Sequence, residues 1–411
     1  MIPMLAEPTH IDYLVGDEAL LSRIAEVPAR RPFSAEALAF IDTFSQHLLR
    51  LPDVKAWSDV VTLAFWCRSA ALRLLQNGYS DLAGRQGRGA AFHIAPSNVA
   101  VNFAYSLLAG LLAGNANILR VPGRDFTQVR LICAALNSAL QAHPQMAPYL
   151  ILVRYDKSKT LNDRFSALCQ TRIVWGGDNT IAALRQSPLP PRALDIAFAN
   201  RYSFALVDAQ GYLDHPDKVR IAHDFYNDTL QSDQNACSSP GLVVWLTASQ
   251  QICEQAQRQF WQLFNQVAAE RYALQPVSAV EKLTLFCQLS AATPGVKRQP
   301  VTHNRLVRVT LPRLDAESMN YAGRCGYFLE YQAGNIDEIF PICGSACQTI
   351  AYCGMDSEPL EAFLTRRCPA GVDRIVPFGQ ALNFTLKWDG YDLIYMLTKV
   401  RATHRNNRIK R

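Results

Sequence analysis

Between Ala90 and Asp208, short apolar runs alternate with stretches of helical periodicity, and no other feature limits the possible folds so sharply. Ala90–Ala95, Asn117–Val121, Leu150–Arg154, Arg172–Trp175 and Phe204–Asp208 read as strands. Val99–Gly114, Phe126–Ala142, Leu161–Cys169 and the stretch from Thr180 to Arg185 read as helices. Parallel strands need crossovers of about a dozen residues or more, and these spacings supply them. The expectation is an α/β fold with a doubly wound parallel sheet. Upstream, residues 17–85 read as helices, with Ser34 as an N-cap and Trp57–Gln76 as a longer copy of the same periodicity. Gly84–Gly89 reads as a flexible break. A second segment, from about Tyr212 to Val376, begins with a helix and carries strands near Leu242, Leu306 and Gln348.

Composition narrows the function classes. At 411 residues the chain exceeds one small core and suits two lobes or one large α/β unit. A hydrophobic content of 49% with 18% charged residues is that of a soluble globular protein. The net charge of +6 has no concentrated basic block before Arg401–Arg411, which reads as a solvated tail. No aromatic and basic strip accompanies it, so a nucleic-acid partner is not expected. The longest apolar stretch, Val99–Leu119, is interrupted by Asn102, Asn115, Asn117 and glycines, which marks a core segment and not a membrane span. The amino terminus lacks the basic-then-apolar order of a signal peptide. The eleven cysteines form no CxxC pair, and no histidine follows Cys343, Cys347 and Cys353 at zinc-ligand spacing, so no metal site is expected. A reducing cytoplasm is the natural home.

Cys237 stands apart from the other ten cysteines. It sits in Gln231-Ser-Asp-Gln-Asn-Ala-Cys-Ser-Ser-Pro-Gly241, among small hydroxyl and amide side chains, just before the apolar run Leu242–Leu246. A thiolate is the nucleophile, and a polar setting favours it. Three turns upstream can face a phosphate or a carbonyl. Pro96-Ser97-Asn98 lies at a strand-to-helix junction, where the asparagine amide can donate to a developing oxyanion or simply cap the helix. Arg120 ends a buried strand and Arg124 follows it, suited to a ribose or phosphate or else to solvent. Gly176-Gly177 forms a strand-to-helix glycine turn, though not GxGxxG. His93 begins a buried strand and reads as hydrogen-bonded structure, with a proton relay as the alternative.

In this order the pieces resemble the aldehyde dehydrogenase superfamily, and within it the LuxC branch of fatty-acyl reductases known from bacterial bioluminescence. The resemblance rests on His93–Arg120, Val174–Asp178, Asp233–Pro240, Asp337–Phe340, Arg374–Gly379 and Trp388–Asp392, collinear over about 300 residues. It implies an aldehyde-dehydrogenase-like α/β fold, with a Rossmann-type cofactor domain and an α/β catalytic domain. Residues 1–85 are then an N-terminal helical segment, 86–210 the dinucleotide-binding domain and 211–376 the catalytic domain carrying the nucleophilic cysteine. Residues 377–411 form a C-terminal return and oligomerisation segment. Residue by residue, the resemblance implies that Cys237 takes the acyl group as a thioester and that Asn98, with the Cys237 backbone N–H, forms the oxyanion hole. Pro96, Ser97, Arg120, Arg124, Gly176 and Gly177 fall to the cofactor, and Glu338 and Phe340 to its nicotinamide ribose and ring. Trp388-Asp-Gly-Tyr391 reads as an architectural turn.

Two departures from the wider superfamily shape the expected activity. The glutamate with which hydrolytic relatives activate water has no counterpart in Ile196–Val207, so reduction or thiol exchange becomes the useful fate of the thioester. Val121–Arg124 carries no acid for a ribose diol and adds a cation, which favours NADPH; Asp125 lies one residue further on. The second glycine of the pyrophosphate turn falls on Ala182. The expected function is NADPH-dependent reduction of an acyl-CoA, or of an acyl group from a partner protein, to an aldehyde. The resemblance also implies a LuxE-like acyl-protein synthetase as donor and a homo-oligomer built through a late strand near Tyr395–Val400. The alternatives are an aldehyde-oxidising dehydrogenase of the same fold and a nicotinamide-independent cysteine acyltransferase or thioesterase using His223 or His303.

Overall fold

The computed structural model describes residues 10–96, 99–300 and 303–401. The chain divides into two compact units: the described residues up to Ala199 together with those from Tyr391 on, and Asn200–Gly390.

The first unit is a six-stranded sheet of β1 (Asp12–Val15), β3 (Ala90–Ile94), β4 (Ala116–Arg120), β5 (Leu150–Arg154), β6 (Thr171–Trp175) and β7 (Leu194–Phe198). The order is β1-β5-β4-β3-β6-β7, with only β1 antiparallel to its neighbour. The helices Asn102–Leu112, Thr127–Ala142, Lys159–Leu168 and Asp178–Arg185 make the crossovers. The chain builds outward from β3 through β4 to β5 and then returns to place β6 on the other side of β3. That reversal sets the carboxyl ends of β3 and β6 side by side, the place where open α/β sheets leave a ligand crevice.

Buried asparagines brace this unit. Asn115 Oδ1 accepts from the backbone N–H groups of Arg88 (2.7 Å) and Gly89 (3.2 Å), while its Nδ2 donates to Leu397 O (3.0 Å). The strand β2 (Arg85–Gly87) pairs antiparallel with Thr398–Val400. The expected flexible break at Gly84–Gly89 is thus ordered, because a partner more than 300 residues downstream satisfies its backbone. Trp57–Gln76 is two helices, Ser58–Trp66 and Ser69–Asn77. Arg68 is extended between them, and Asp42 Oδ1 accepts from Ser69 N at 2.8 Å, capping the second helix from a distant part of the chain.

The second unit is a seven-stranded sheet in the order β10-β11-β12-β9-β8-β13-β14. Its strands are β8 (Tyr202–Asp208), β9 (Pro240–Leu246), β10 (Lys297–Arg298), β11 (Val307–Thr310), β12 (Tyr327–Ala333), β13 (Cys347–Cys353) and β14 (Arg374–Pro377). All neighbours are parallel except β10 and β11. The strand Phe204–Asp208, which the sequence pattern had attached to the first sheet, is central here. Alternate residues serve two cores: Ala205, Val207, Val243 and Trp245 face one, Phe204, Leu206, Leu242 and Val244 the other. Burial on both faces explains why these strands are continuous apolar runs. The first core is aromatic, with Phe225 within 5.0–6.3 Å, ring centre to ring centre, of Phe260, Trp261, Phe264, Phe328 and Phe378.

Among the described residues no helix is long and apolar enough to cross a membrane, and no three or more metal-ligating side chains cluster. The basic tail beyond Arg401 lies outside the described residues.

Candidate active site

Cys237 lies in the second unit, on a turn between the 3-10 segment Leu230–Ser232 and the amino end of β9. The two residues that set the turn's direction, Asp233 and Gln234, have φ of 53° and 54°. Residues with a Cβ seldom adopt that region, and they persist there only where the surroundings over-determine them. Here they do. Tyr272 Oη donates to Asp233 Oδ1 (2.7 Å), and Cys325 N–H donates to Asp233 O (3.1 Å). Gln234 is buried; its Nε2 donates to Pro240 O (3.1 Å) and Tyr327 O (3.3 Å), and its Oε1 accepts from Gly326 N (2.7 Å). The opposing loop is held in turn by the buried Lys282, whose Nζ donates to the carbonyls of Asn304 (2.6 Å), Arg305 (3.1 Å) and Cys325 (2.6 Å). Burial lowers the Lys282 pKa to about 8.

From the sheet side, Ser203 Oγ donates to Cys237 O at 2.7 Å and accepts from Thr349 N at 3.1 Å. Cys237 itself is half-buried. Burial pushes its thiol up; the Arg201 backbone N–H opposes this, Asp389 adds to it, and the charges of Arg324 and Arg201 pull the other way. The polar neighbours expected from the sequence are present, but desolvation outweighs them and the resting group is a thiol. Arg201 and Asp389 escaped the sequence reading. Arg201 sits in the stretch searched only for a glutamate, and Asp389 belongs to the turn read as architecture.

In the first unit the structure brings four expected residues to adjacent strand ends. Pro96 follows β3, Arg120 ends β4, and Gly176 and Gly177 follow β6. Gly177 caps the helix Asp178–Arg185 without a side-chain bond, and a Cβ added there would meet nothing within 4 Å. Arg120 donates from Nη2 to Tyr155 O (3.1 Å) and lies over the Tyr155 ring, 4.5 Å from its centre. Arg124 is exposed on the following loop, over Phe126 at 5.1 Å. Asp125 pairs with Arg130 at 3.0 Å. Ser97 and Asn98 lie outside the described residues.

His93, at the heart of this sheet, is fully buried. Trp175 Nε1 donates to Ser106 Oγ (3.0 Å), and Ser106 Oγ lies 2.8 Å from His93 Nδ1. His93 Nε2 lies 3.0 Å from Asn117 Oδ1, whose amide nitrogen donates to Asn115 O (2.8 Å) and Tyr149 O (3.2 Å). The chain is consistent only if Ser106 donates to Nδ1 and Nε2 carries the proton. Burial lowers the His93 pKa from 6.5 to about 4, so the ring is neutral and structural. The unfolded chain takes up this proton first, so the stabilisation is whole above about pH 6.5 and drains away as pH falls towards 4. We expect a loss of about 3 kcal/mol over that range, seen in urea midpoints, and a flatter profile for His93→Gln.

Glu338 and Phe340 lie in the second unit, on the 3-10 helix Ile336–Ile342 after β12. Glu338 Oε1 accepts from Gly334 N and Asn335 Nδ2, both at 3.1 Å, and Oε2 accepts from Tyr331 Oη at 3.2 Å. Phe340 is 36% exposed, unusual for a large apolar ring, and carries the Arg367 guanidinium 4.2 Å from its centre.

The fold matches aldehyde dehydrogenases of known structure. Aldehyde dehydrogenase 21 from Physcomitrella patens aligns with a TM-score of 0.65 at 12% identity, covering 94% of this chain and 89% of that one. A salicylaldehyde dehydrogenase from Pseudomonas putida G7 aligns at 0.64 with 14% identity, covering 94% and 87%. In sequence, the long-chain acyl-protein thioester reductase of Aliivibrio fischeri is 25% identical over 165 residues, 39% of this chain; the match spans only a third of that relative's length. The family model for acyl-CoA reductase (LuxC) matches residues 27–400, nearly the whole chain. The chain therefore belongs to the acyl-CoA reductase (LuxC) family.

Proposed function

We propose that the chain reduces an activated acyl group to an aldehyde, with Cys237 as nucleophile and NADPH as reductant. The observation that carries this reading is the Cys237 turn: a half-buried thiol before the amino end of β9, the middle strand of the second sheet, held by a left-handed pair that hydrogen bonds lock on both sides. The Cys237 sulfur bonds to the acyl carbon, and the donor thiol leaves with the proton that the cysteine gives up. On this reading the Cys237 backbone N–H and the Asn98 amide stabilise the tetrahedral oxyanion, each donor contributing about 3 kcal/mol. Asp389, the carboxylate facing the sulfur, is engaged by Arg201 and Gln348. With no glutamate in Ile196–Val207 either, the water-activating base of hydrolytic relatives has no counterpart there, which favours reduction over hydrolysis of the thioester.

A bound reduced nicotinamide supplies the hydride that converts such a thioester to an aldehyde. The residues present fit a dinucleotide: the strand order reverses at β3 and β6, and Gly177 leaves open space at a helix N-terminus. Arg120 would take the adenosine ribose, and Glu338 and Phe340 the nicotinamide half. Asp125 is held by Arg130 and Arg124 is exposed, which supports NADPH over NADH. NADPH should bind about tenfold more tightly than NADH, and Arg124→Ala should reduce the ratio to about threefold. Nicotinamide fluorescence on binding reads both, and tighter NADH binding contradicts the assignment. A CoA thioester and an acyl group from a LuxE-like synthetase are both candidate donors; a cytoplasmic homo-oligomer is part of the same reading.

The thioesterase alternative needs a histidine at the sulfur. His223 Nδ1 accepts from Arg271 at 3.3 Å and His303 Nδ1 from Arg305 N at 3.3 Å, which argues against both. Incubation with acyl-CoA tests the main reading: NADPH is oxidised in step with aldehyde formation, whereas release of free acid without NADPH oxidation overturns it.

A further inference from the structure

Beneath the Cys237 turn lies a buried ionic cluster to which the reading above assigns no role. Arg201 pairs with Asp373 and, at 3.5 Å, with Asp389; the Arg201 and Asp389 side chains are 11% and 6% exposed. Arg201 Nη2 donates to Cys347 O, and Gln348 Nε2 donates to Asp389 Oδ1. Arg201 Nε is buried with no partner among the described residues. A cation with one unused buried donor thus sits two residues before Ser203, whose hydroxyl holds the Cys237 carbonyl. Asp389 reaches the cluster through a left-handed turn, φ 51°, followed by Gly390 at φ 74°. A Cβ on Gly390 would lie 3.0 Å from Asp373 Oδ1, so the turn closes this tightly only with glycine.

We propose that Arg201 and Asp389 are positioning residues that set the reactivity of Cys237, the Arg201 charge favouring its thiolate and the Asp389 carboxylate, held beside it by Arg201 and Gln348, opposing it. This deepens the reading of Cys237 as nucleophile and rests on it. The charged groups facing the sulfur are Arg201 before β8, Arg324 before β12 and Asp389 after Trp388. Asp389 in turn faces Arg201, Asp373, Arg374 and Gln348. Neutralising Asp389 removes a negative charge from the surroundings of the thiolate while Arg201 stays held by Asp373 and Cys347 O, and the change favours ionisation.

The test is alkylation of the full chain by iodoacetamide at graded pH, read by peptide mass spectrometry at residue 237. Asp389→Asn keeps the size and the hydrogen-bond acceptor, and asparagine tolerates a left-handed φ. It should lower the pH midpoint of labelling by about 0.5 to 1 unit. Arg201→Met should raise it by a similar amount, and Arg201→Lys should recover most of the shift. A midpoint for Asp389→Asn that stays put or rises overturns the proposal. So do equal shifts for Arg201→Met and Arg201→Lys. The buried Cys253 and Cys343 report folding in the same spectrum; if Asp389→Asn exposes them, the Arg201 pair decides alone. Labelling needs no acyl transfer, so a wrong nucleophile assignment shows separately, as acyl reduction that survives loss of Cys237.

Discussion

On the proposed reading, replacing Cys237 with alanine should lower aldehyde formation by about a thousandfold or more while leaving NADPH binding unchanged. The expectation follows from how the other ten cysteines are placed. Cys67, Cys133, Cys169, Cys253, Cys343, Cys347 and Cys353 are buried. Burial pushes Cys133, Cys169, Cys253 and Cys353 up to about 12, which leaves a negligible thiolate fraction at neutral pH. Cys287 lies on the helix Pro276–Ala292 and Cys368 caps the helix Glu358–Arg367, both exposed and outside the braced turn in sequence. Cys325 lies nearer, on the opposing loop, and its Sγ donates to Asp233 O at 4.0 Å. Serine at position 237 should be nearly as inactive, because a hydroxyl without a general base attacks poorly. Retention of more than a few per cent of turnover by the alanine variant contradicts the assignment, whichever donor is used.

The largest stability effect is expected at Glu330, a fully buried carboxylate on β12. Its Oε1 accepts from Trp245 Nε1 (3.0 Å) and Trp261 Nε1 (2.6 Å), and its Oε2 pairs with Arg308 at 2.8 Å. Arg308 also lies over the Trp261 ring at 5.0 Å. Alanine here removes the acceptor of two buried indoles and leaves a mostly buried guanidinium unpaired. Breaking one side of a buried pair typically costs about 3 to 5 kcal/mol. We expect Glu330→Ala to lose about 4 kcal/mol, with much of the loss in the second unit, whose aromatic core these tryptophans close. Glu330→Gln keeps one acceptor for the indoles but turns its amide towards Arg308, and should lose about half as much. Urea unfolding followed by tryptophan fluorescence checks both. An unchanged midpoint for Glu330→Ala means that the indoles and Arg308 find other partners.

How much of this was legible in the sequence depends on the range of the contacts involved. The strands β4, β5, β6 and β9 were readable because burial on both faces makes each a continuous apolar run bounded by turn residues. The attachment of Tyr202–Asp208 to the second sheet was not, since a strand's own residues do not say which neighbour it will pair with. The ordered Gly84–Gly89 segment depends on Thr398–Val400, and the break near Arg68 on Asp42, both outside any local window. At the candidate site, Cys237 was singled out by its small polar neighbours. The left-handed pair Asp233 and Gln234 and the Arg201–Asp389 contact were not, because each exists only through partners dozens to nearly two hundred residues away. A search for charged residues flanking tight glycine turns would have flagged Asp389.

The most direct measurement is the intact mass of the protein after brief exposure to long-chain acyl-CoA without a reductant, followed by peptide mapping. The account predicts one acyl group per chain, on Cys237, and its disappearance with release of aldehyde once NADPH is added. An unmodified Cys237, or an acyl group on another residue that NADPH discharges to aldehyde, would contradict it.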